Sequence, residues 1–235
     1  MNKINTKYRT TAEEIMDDFS LEGEELRDAL DKIAVINQLL GGNRLTLDGV
    51  KQLLPLNIKE VTIVDVGCGN GDMLRTLADF GKKNNFIFHL IGIDANAFTI
   101  KHAKQLSQEY PNIHYLCIDI FEEEFCELEY DIVLCTLTLH HFKNEQIDYL
   151  LQLFSQQAQI GIVINDLHRN IIAYRLFQAI CFIFRLNKMS REDGLVSILR
   201  GFKEKELESF SKKNKLQKYS IQWKWAFRYQ WIIRI

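Results

Sequence analysis

Residues 61–73, Val-Thr-Ile-Val-Asp-Val-Gly-Cys-Gly-Asn-Gly-Asp-Met, limit the possible folds more than any other stretch of the chain. The mostly β-branched run Val61–Val66 reads as a strand buried on both faces. It ends in Gly67, Gly69 and Gly71, and a helical pattern follows with Met73, Leu74 and Leu77 on one face. Strand, glycine turn and helix in this order favour a parallel α/β sheet. Glycines lack a Cβ, so their backbone N–H groups can approach a ligand closely. The helix N-terminus behind them favours a carboxylate or a phosphate. The spacing is one residue shorter than the dinucleotide pattern G-x-G-x-x-G. No Lys-Ser/Thr follows, which argues against a phosphate-cradling loop.

Downstream the patterns alternate. Strands are expected at Phe86–Ile93, His114–Ile118, Tyr130–Cys135 and Ile160–Asn165, with helices at Ala97–Tyr110 and Asn144–Gln157. An insertion at 166–202 carries two helical patterns, and Lys203–Lys213 is a further helix. Lys218–Trp223 and Phe227–Ile235 read as closing strands whose short connection makes them antiparallel. Before the glycine strand, a short helix begins at Thr11–Met16, a stronger one spans Glu24–Leu40, and a third runs from Asn43 to Leu54. Residues before about 10 are expected to fray. The expected architecture is a helical cap, 1–58, on an α/β domain, 59–235, whose insertion at 166–202 acts as a lid.

Ligands of open α/β sheets bind at the carboxyl ends of the strands. Here those ends carry Asp65, Asp94 and Asp119. Asp94 follows Gly71 by 23 residues, near the ~20-residue spacing at which an acid meets a ribose diol. Val64–Gly71 closely resembles motif I of the class I S-adenosylmethionine-dependent methyltransferases, and Ile91–Asn96 resembles their ribose-binding motif. The resemblance is specific over 60–165 and rests on layout elsewhere. It implies a Rossmann-like seven-stranded sheet with an antiparallel last strand and S-adenosylmethionine as cofactor. It implies a cofactor site of Asp65, Gly67, Cys68, Gly69, Gly71, Asp94, Ala95, Asp119, Ile120, Thr136 and Leu137. In this reading Asp65 meets the ammonium, Asp94 the ribose, and Asp119 the adenine amino group.

Leu139-His-His-Phe142 resembles the segment after the fourth strand in methyltransferases of quinone and other small-molecule pathways. Nucleic-acid amino-methyltransferases usually carry Asn/Asp-Pro-Pro-aromatic there, whereas this chain has only Pro55 and Pro111. His140 or His141 could take a proton from a phenol. Asp166 and His168 could pair as carboxylate and imidazole. Any of these histidines could instead be a packed or capping residue. Ile171–Leu186 is the most apolar stretch, too interrupted to span a bilayer. It suits a pocket wall for a greasy acceptor, with Tyr174, Phe177 and Phe182 as lining candidates, or contact with a membrane surface. Arg191–Phe202 resembles a segment of bacterial methyltransferases from phenolic-lipid and polyketide pathways.

Composition excludes some classes. A net charge of −2 advertises no nucleic-acid partner. The five cysteines have no paired or metal-ligating spacing, which suits a reducing, cytoplasmic setting. No metal is expected. The leading expectation is methyl transfer to a small, mainly apolar acceptor, a phenolic oxygen first and a ring carbon second. A nicotinamide oxidoreductase and a non-catalytic cofactor-binding subunit are the alternatives.

Overall fold

The computed structural model describes residues 4–55, 57 and 59–235. The expected domain boundary at 58 lies outside the described residues. Seven strands form one sheet: β1 (Glu60–Val66), β2 (Ile87–Asp94), β3 (Ile113–Cys117), β4 (Tyr130–Thr136), β5 (Ala158–Leu167), β6 (Lys218–Lys224) and β7 (Arg228–Arg234). Their order is β3-β2-β1-β4-β5-β7-β6. The first five are parallel, and β7 runs antiparallel to both β5 and β6.

The sheet is buried on both faces because its central strands are apolar in both registers. In β1, Val61 and Ile63 join one core and Val64 and Val66 the other. The first core is closed by α2 (Gly42–Leu53), α3 (Asp72–Asn84) and α4 (Ala97–Leu106), through Val50, Leu74, Leu77 and Ile100. The second is closed by α5 (Glu123–Cys126), α6 (Asn144–Gln157) and α9 (Glu204–Lys213), through Phe125, Leu150, Phe154 and Phe210. A third, smaller cluster joins α1 (Glu24–Leu39) to Met189 of α8 (Lys188–Arg200).

Three differences from the sequence reading have physical causes. The helix expected at Thr11–Met16 is only a 3₁₀ turn, Ile15–Asp17. Its Ile15 and Met16 N–H groups donate to the Asp193 carboxylate at 2.7 and 2.9 Å, which replaces helical bonding. Residues 9 and 10, expected to fray, are docked. Thr10 N–H donates to Leu199 O, and Arg9 donates to the carbonyls of His140, Phe142 and Arg200. The α4 pattern expected to reach Tyr110 stops at Leu106, where Ser107 turns to meet the Tyr115 hydroxyl at 2.8 Å.

The insertion leaves and re-enters the sheet at one point. β5 continues to Leu167, and His168 then bridges Phe202. Phe202 N–H donates to Leu167 O and Arg169 N–H to Phe202 O, at 2.8 and 2.9 Å. The intervening chain forms α7 (Ile171–Ile183) and α8. Among the described residues no helix is long and apolar enough to cross a membrane.

Gly71 caps α3 in the left-handed region, φ 78°. A Cβ there would overlap the Tyr115 hydroxyl. Gly71→Ala should therefore destabilise the fold by about 2 kcal/mol or more, combining overpacking with left-handed strain. Adding Tyr115→Phe should recover only a fraction of the loss, because the ring carbon Cζ would still stand 2.9 Å from the new Cβ. Urea midpoints of the two variants test this, and an unchanged midpoint for Gly71→Ala would refute it.

Candidate functional site

The parallel strands end together on one side of the sheet, and a cavity of about 1160 Å³ opens there. One wall is the glycine turn. Gly67, Gly69 and Gly71 all have left-handed φ, 68°, 53° and 78°. That conformation turns the chain sharply enough for Cys68 N–H to donate to Ile93 O at 2.9 Å. Gly69 N–H donates to Asp94 Oδ2 at 3.2 Å, so the acid at the tip of β2 holds the turn in place. Its other oxygen accepts from Asn96 N–H at 3.0 Å. Burial pushes the Asp94 carboxyl up to about 6. A raised folded value adds stability below the ordinary carboxylate range, and that contribution is lost as pH rises through about 6.

Asp65 is 2% exposed, and its Oδ1 has no hydrogen-bond partner among the described residues. Burial, then the charges of Asp72 and Asp94, raise its pKa well above the ordinary range. A buried carboxylate beside two others is costly to ionise unless a cation reaches it. Asp65 and Asp72 both line the cavity. Among the described residues, the guanidinium of Arg228, which the charge of Asp72 reaches, leaves Nε and one terminal nitrogen unpartnered. Burial lowers its pKa to about 10. This corner therefore presents an anionic and a cationic group, both underused.

Of the residues expected around a cofactor, Asp65, Gly67, Cys68, Gly69, Asp94, Ala95, Asp119, Ile120, Thr136 and Leu137 line the cavity. Gly71 does not; it packs on Tyr115. Asp119 is half-buried, and its Oδ1 accepts from Phe121 N–H at 3.0 Å. Leu137 holds a left-handed φ of 54°, unusual for a branched side chain. Its N–H donates to Asn165 O at 2.8 Å, which fixes the backbone at the tip of β4.

The expected Asp166–His168 pair is not formed. Asp166 lies behind the cavity wall and bonds His140 Nδ1 at 2.7 Å; it also accepts from His140 N–H. β5 carries Asp166 towards β4, where the 3₁₀ turn Leu139–His141 places His140 directly above it. His168, just beyond β5, lines the cavity, but its Nδ1 accepts from Trp223 Nε1 at 3.1 Å. Burial, then the charges of Lys203 and Arg169, lower His168 to about 4, a poor value for a general base at neutral pH.

His141 Nδ1 meets Asp17 Oδ1 at 2.6 Å. Glu14, absent from the sequence reading, is buried against both imidazoles and against Arg200. Burial pushes its carboxyl up to about 7. Glu14, Arg9 and Arg228 gave no local signal, because each belongs to an irregular segment or a strand end that only tertiary packing brings to the cavity. On α7, Ala173, Phe177 and Ile180 line the cavity. Tyr174 does not, and Phe182 is 87% exposed.

The cavity thus lies at the carboxyl ends of the parallel strands, beside the switch point between β1 and β4, where open α/β sheets bind ligands. A sequence profile described as a methyltransferase domain matches residues 63–161. The ubiquinone biosynthesis O-methyltransferase of Rickettsia typhi is 33% identical over 120 residues, 50% of this chain and 46% of that protein. The chain thus spans less than half the length of that relative. The plantazolicin methyltransferase BpumL, solved with SAH, superposes with a TM-score of 0.65 at 19% identity, covering 87% of this chain and 88% of that one. Magnesium protoporphyrin IX methyltransferase from Synechocystis PCC 6803, solved with SAM, gives 0.54 at 16% identity, covering 86% and 82%. Residues 63–161 accordingly match a methyltransferase domain, and the chain has the fold of these two structures.

The residues present fit S-adenosylmethionine. Its ammonium answers the unpartnered Asp65 oxygen, and the glycine turn leaves its wall open. Asp65→Asn should raise the melting temperature of the free protein at pH 8 and weaken S-adenosylhomocysteine at least tenfold. Scanning calorimetry and titration calorimetry together check this. Unchanged affinity would refute the assignment of Asp65.

Proposed function

We propose that the chain methylates a hydroxyl oxygen of a small, mainly apolar aromatic acceptor. The observation that carries this reading is the cavity itself. At about 1160 Å³ it exceeds the ~300–1,000 Å³ of a typical single-ligand pocket, so cofactor and acceptor have room side by side. An apolar wall of the cavity is formed by Leu26, Leu30 and Ile33 of α1, Phe177 and Ile180 of α7, and Ile198 of α8. This wall favours an aromatic or alkyl body. The exposed α7 residues Ile172, Leu176, Phe182 and Ile183 are compatible with brief contact at a membrane surface, where such acceptors partition.

Bound S-adenosylmethionine supplies a methyl group already activated on a sulfonium. The protein's share is placement. Asp94 accepts from the ribose diol, Asp65 receives the ammonium, and Arg228 receives the carboxylate. Asp119 and Ile120 flank the adenine, and Thr136 and Leu137 hold the middle of the cofactor. Residues 9–19, α1 and the α7–α8 insertion cover the cavity. Proximity of the two reactants there can contribute ~7–11 kcal/mol. The acceptor hydroxyl faces His140, His141 and Glu14, a polar cluster of the cavity, where its proton departs.

Two experiments test this. Purified protein with methyl-labelled cofactor should methylate alkyl phenols, and affinity should rise with tail length by ~0.8 kcal/mol per buried methylene until the pocket fills. A flat response, with efficient methylation of a small charged metabolite, would overturn the acceptor assignment. Separately, S-adenosylhomocysteine affinity should fall as pH drops below about 6, because protonated Asp94 loses an acceptor for the diol. Asp65 titrates in the same direction. Equal affinity at pH 5 and pH 8 would refute these two assignments.

A further inference from the structure

Glu14, His140 and His141 each offer one ligand atom, and these atoms lie within 4.8 Å of one another. The way their other atoms are bonded is informative. A carboxylate only accepts hydrogen bonds, so Asp166 fixes the proton of His140 on Nδ1. Asp17 does the same for His141. In those tautomers each Nε2 carries a lone pair. Both Nε2 atoms turn to Glu14, His140 Nε2 at 3.6 Å from Oε1 and His141 Nε2 at 3.9 Å from Oε2. Among the described residues, Glu14 Oε1 and His140 Nε2 are buried with no hydrogen-bond partner. Three acceptors thus converge, and the donors beside them, Ser197 Oγ on Glu14 Oε2 and the Arg200 guanidinium 3.6 Å from Oε1, still leave Glu14 Oε1 and His140 Nε2 unsatisfied. Such a constellation is unfavourable in an empty protein and is resolved by a cation.

We propose that Glu14, His140 and His141 bind a first-row divalent metal ion that orients the acceptor's hydroxyl oxygen. Two imidazoles and one carboxylate are the donor set of zinc and its neighbours, not of calcium or magnesium. Ligand bonds of ~2.0–2.2 Å put donor atoms roughly 3 to 3.5 Å apart, so the cluster needs to contract by no more than about 1.5 Å at its widest. Asp166 and Asp17 stand as the outer carboxylates that orient metal-bound histidines. The surrounding charge suits a dication. Asp17, Asp94, Asp166 and Asp193 each interact with one of the two imidazoles, against the Arg200 guanidinium beside Glu14 and Asp17.

All three ligand residues line the cavity, so the ion keeps an open position towards the acceptor. A hydroxyl coordinated there breaks its O–H bond more readily: the electron pair stays on oxygen and the proton passes to water. This deepens the proposed function and rests on it for the acceptor, but the site itself rests only on the residues named.

The test uses the full chain, stripped with a chelator, dialysed and titrated with zinc chloride against a chromophoric zinc indicator. One ion per chain should bind with a Kd of micromolar or tighter. His141→Ala should weaken it at least tenfold. Glu14→Gln keeps the side chain's shape and should do the same. Cobalt substitution should give visible d–d bands of a low-coordinate site. Absence of any site tighter than millimolar would overturn the proposal. So would tight binding unchanged in both variants while each still binds S-adenosylhomocysteine like the parent, since that ion would be adventitious only. S-adenosylhomocysteine should bind the stripped chain. Its failure to bind either form, with the zinc site intact, would overturn the methyltransferase reading and support the metal site alone.

Discussion

The left-handed turn at Gly67–Gly71 determines where the rest of the molecule can stand. Its residues are tied to four other parts of the chain. Cys68 and Gly69 bond the end of β2. Asn70 donates to Asp31 of α1 at 3.0 Å, and Asp31 in turn meets His102 of α4 at 2.8 Å. Gly71 packs on Tyr115 of β3, and Gly67 leaves no room for a side chain beside Thr138 after β4. One short turn thus fastens three strand ends and the N-terminal helix. Its geometry is available only to residues that tolerate positive φ without a Cβ in the way. A change there propagates into the cavity and the core together.

The cavity that results is built on unmet electrostatic demand. Asp65 and Arg228 are buried with unpartnered polar atoms, and burial moves both away from their usual pKa values. Stable cores avoid such groups, since each costs desolvation without return. Concentrating them in one place is how a site is prepared for a zwitterionic ligand, with binding restoring what folding gave up. The same logic holds across the cavity, where three lone pairs converge among His140, His141 and Glu14.

The two halves differ in how they are assembled. The glycine half belongs to contiguous sequence and to strand tips whose register the parallel sheet fixes, with Asp65 paired to Gly92 and Gly92 to Tyr115. The acceptor half comes from residues distant in the chain. Glu14 and Asp17 reach His140 and His141 because Asp193 of α8 holds the Ile15 and Met16 amides. Arg200, at the end of α8, bonds the carbonyls of His140 and His141 and the carboxylate of Asp17. The N-terminal segment and the insertion therefore form one wall. Displacing either would open the acceptor side while leaving the glycine turn intact.

The sheet, its glycine turn and the acids at strand tips were legible in the sequence, because each is a local pattern. A β-branched run means a buried strand, alternate glycines mean a left-handed turn, and an acid after a strand sits at its carboxyl end. The seven strands and the cavity positions of Asp65, Asp94 and Asp119 follow from that. Pairing between distant side chains was not legible. Asp166 and His168 are close in sequence, yet each is taken by a partner from another segment, Asp166 by His140 and His168 by Trp223. Glu14 and Arg228 carry no periodic signal, and only packing brings them to the cavity. Sequence determined the elements and the half of the site made from consecutive residues. Tertiary structure alone decided which charges face one another, because that depends on contacts between segments that are not adjacent in the chain.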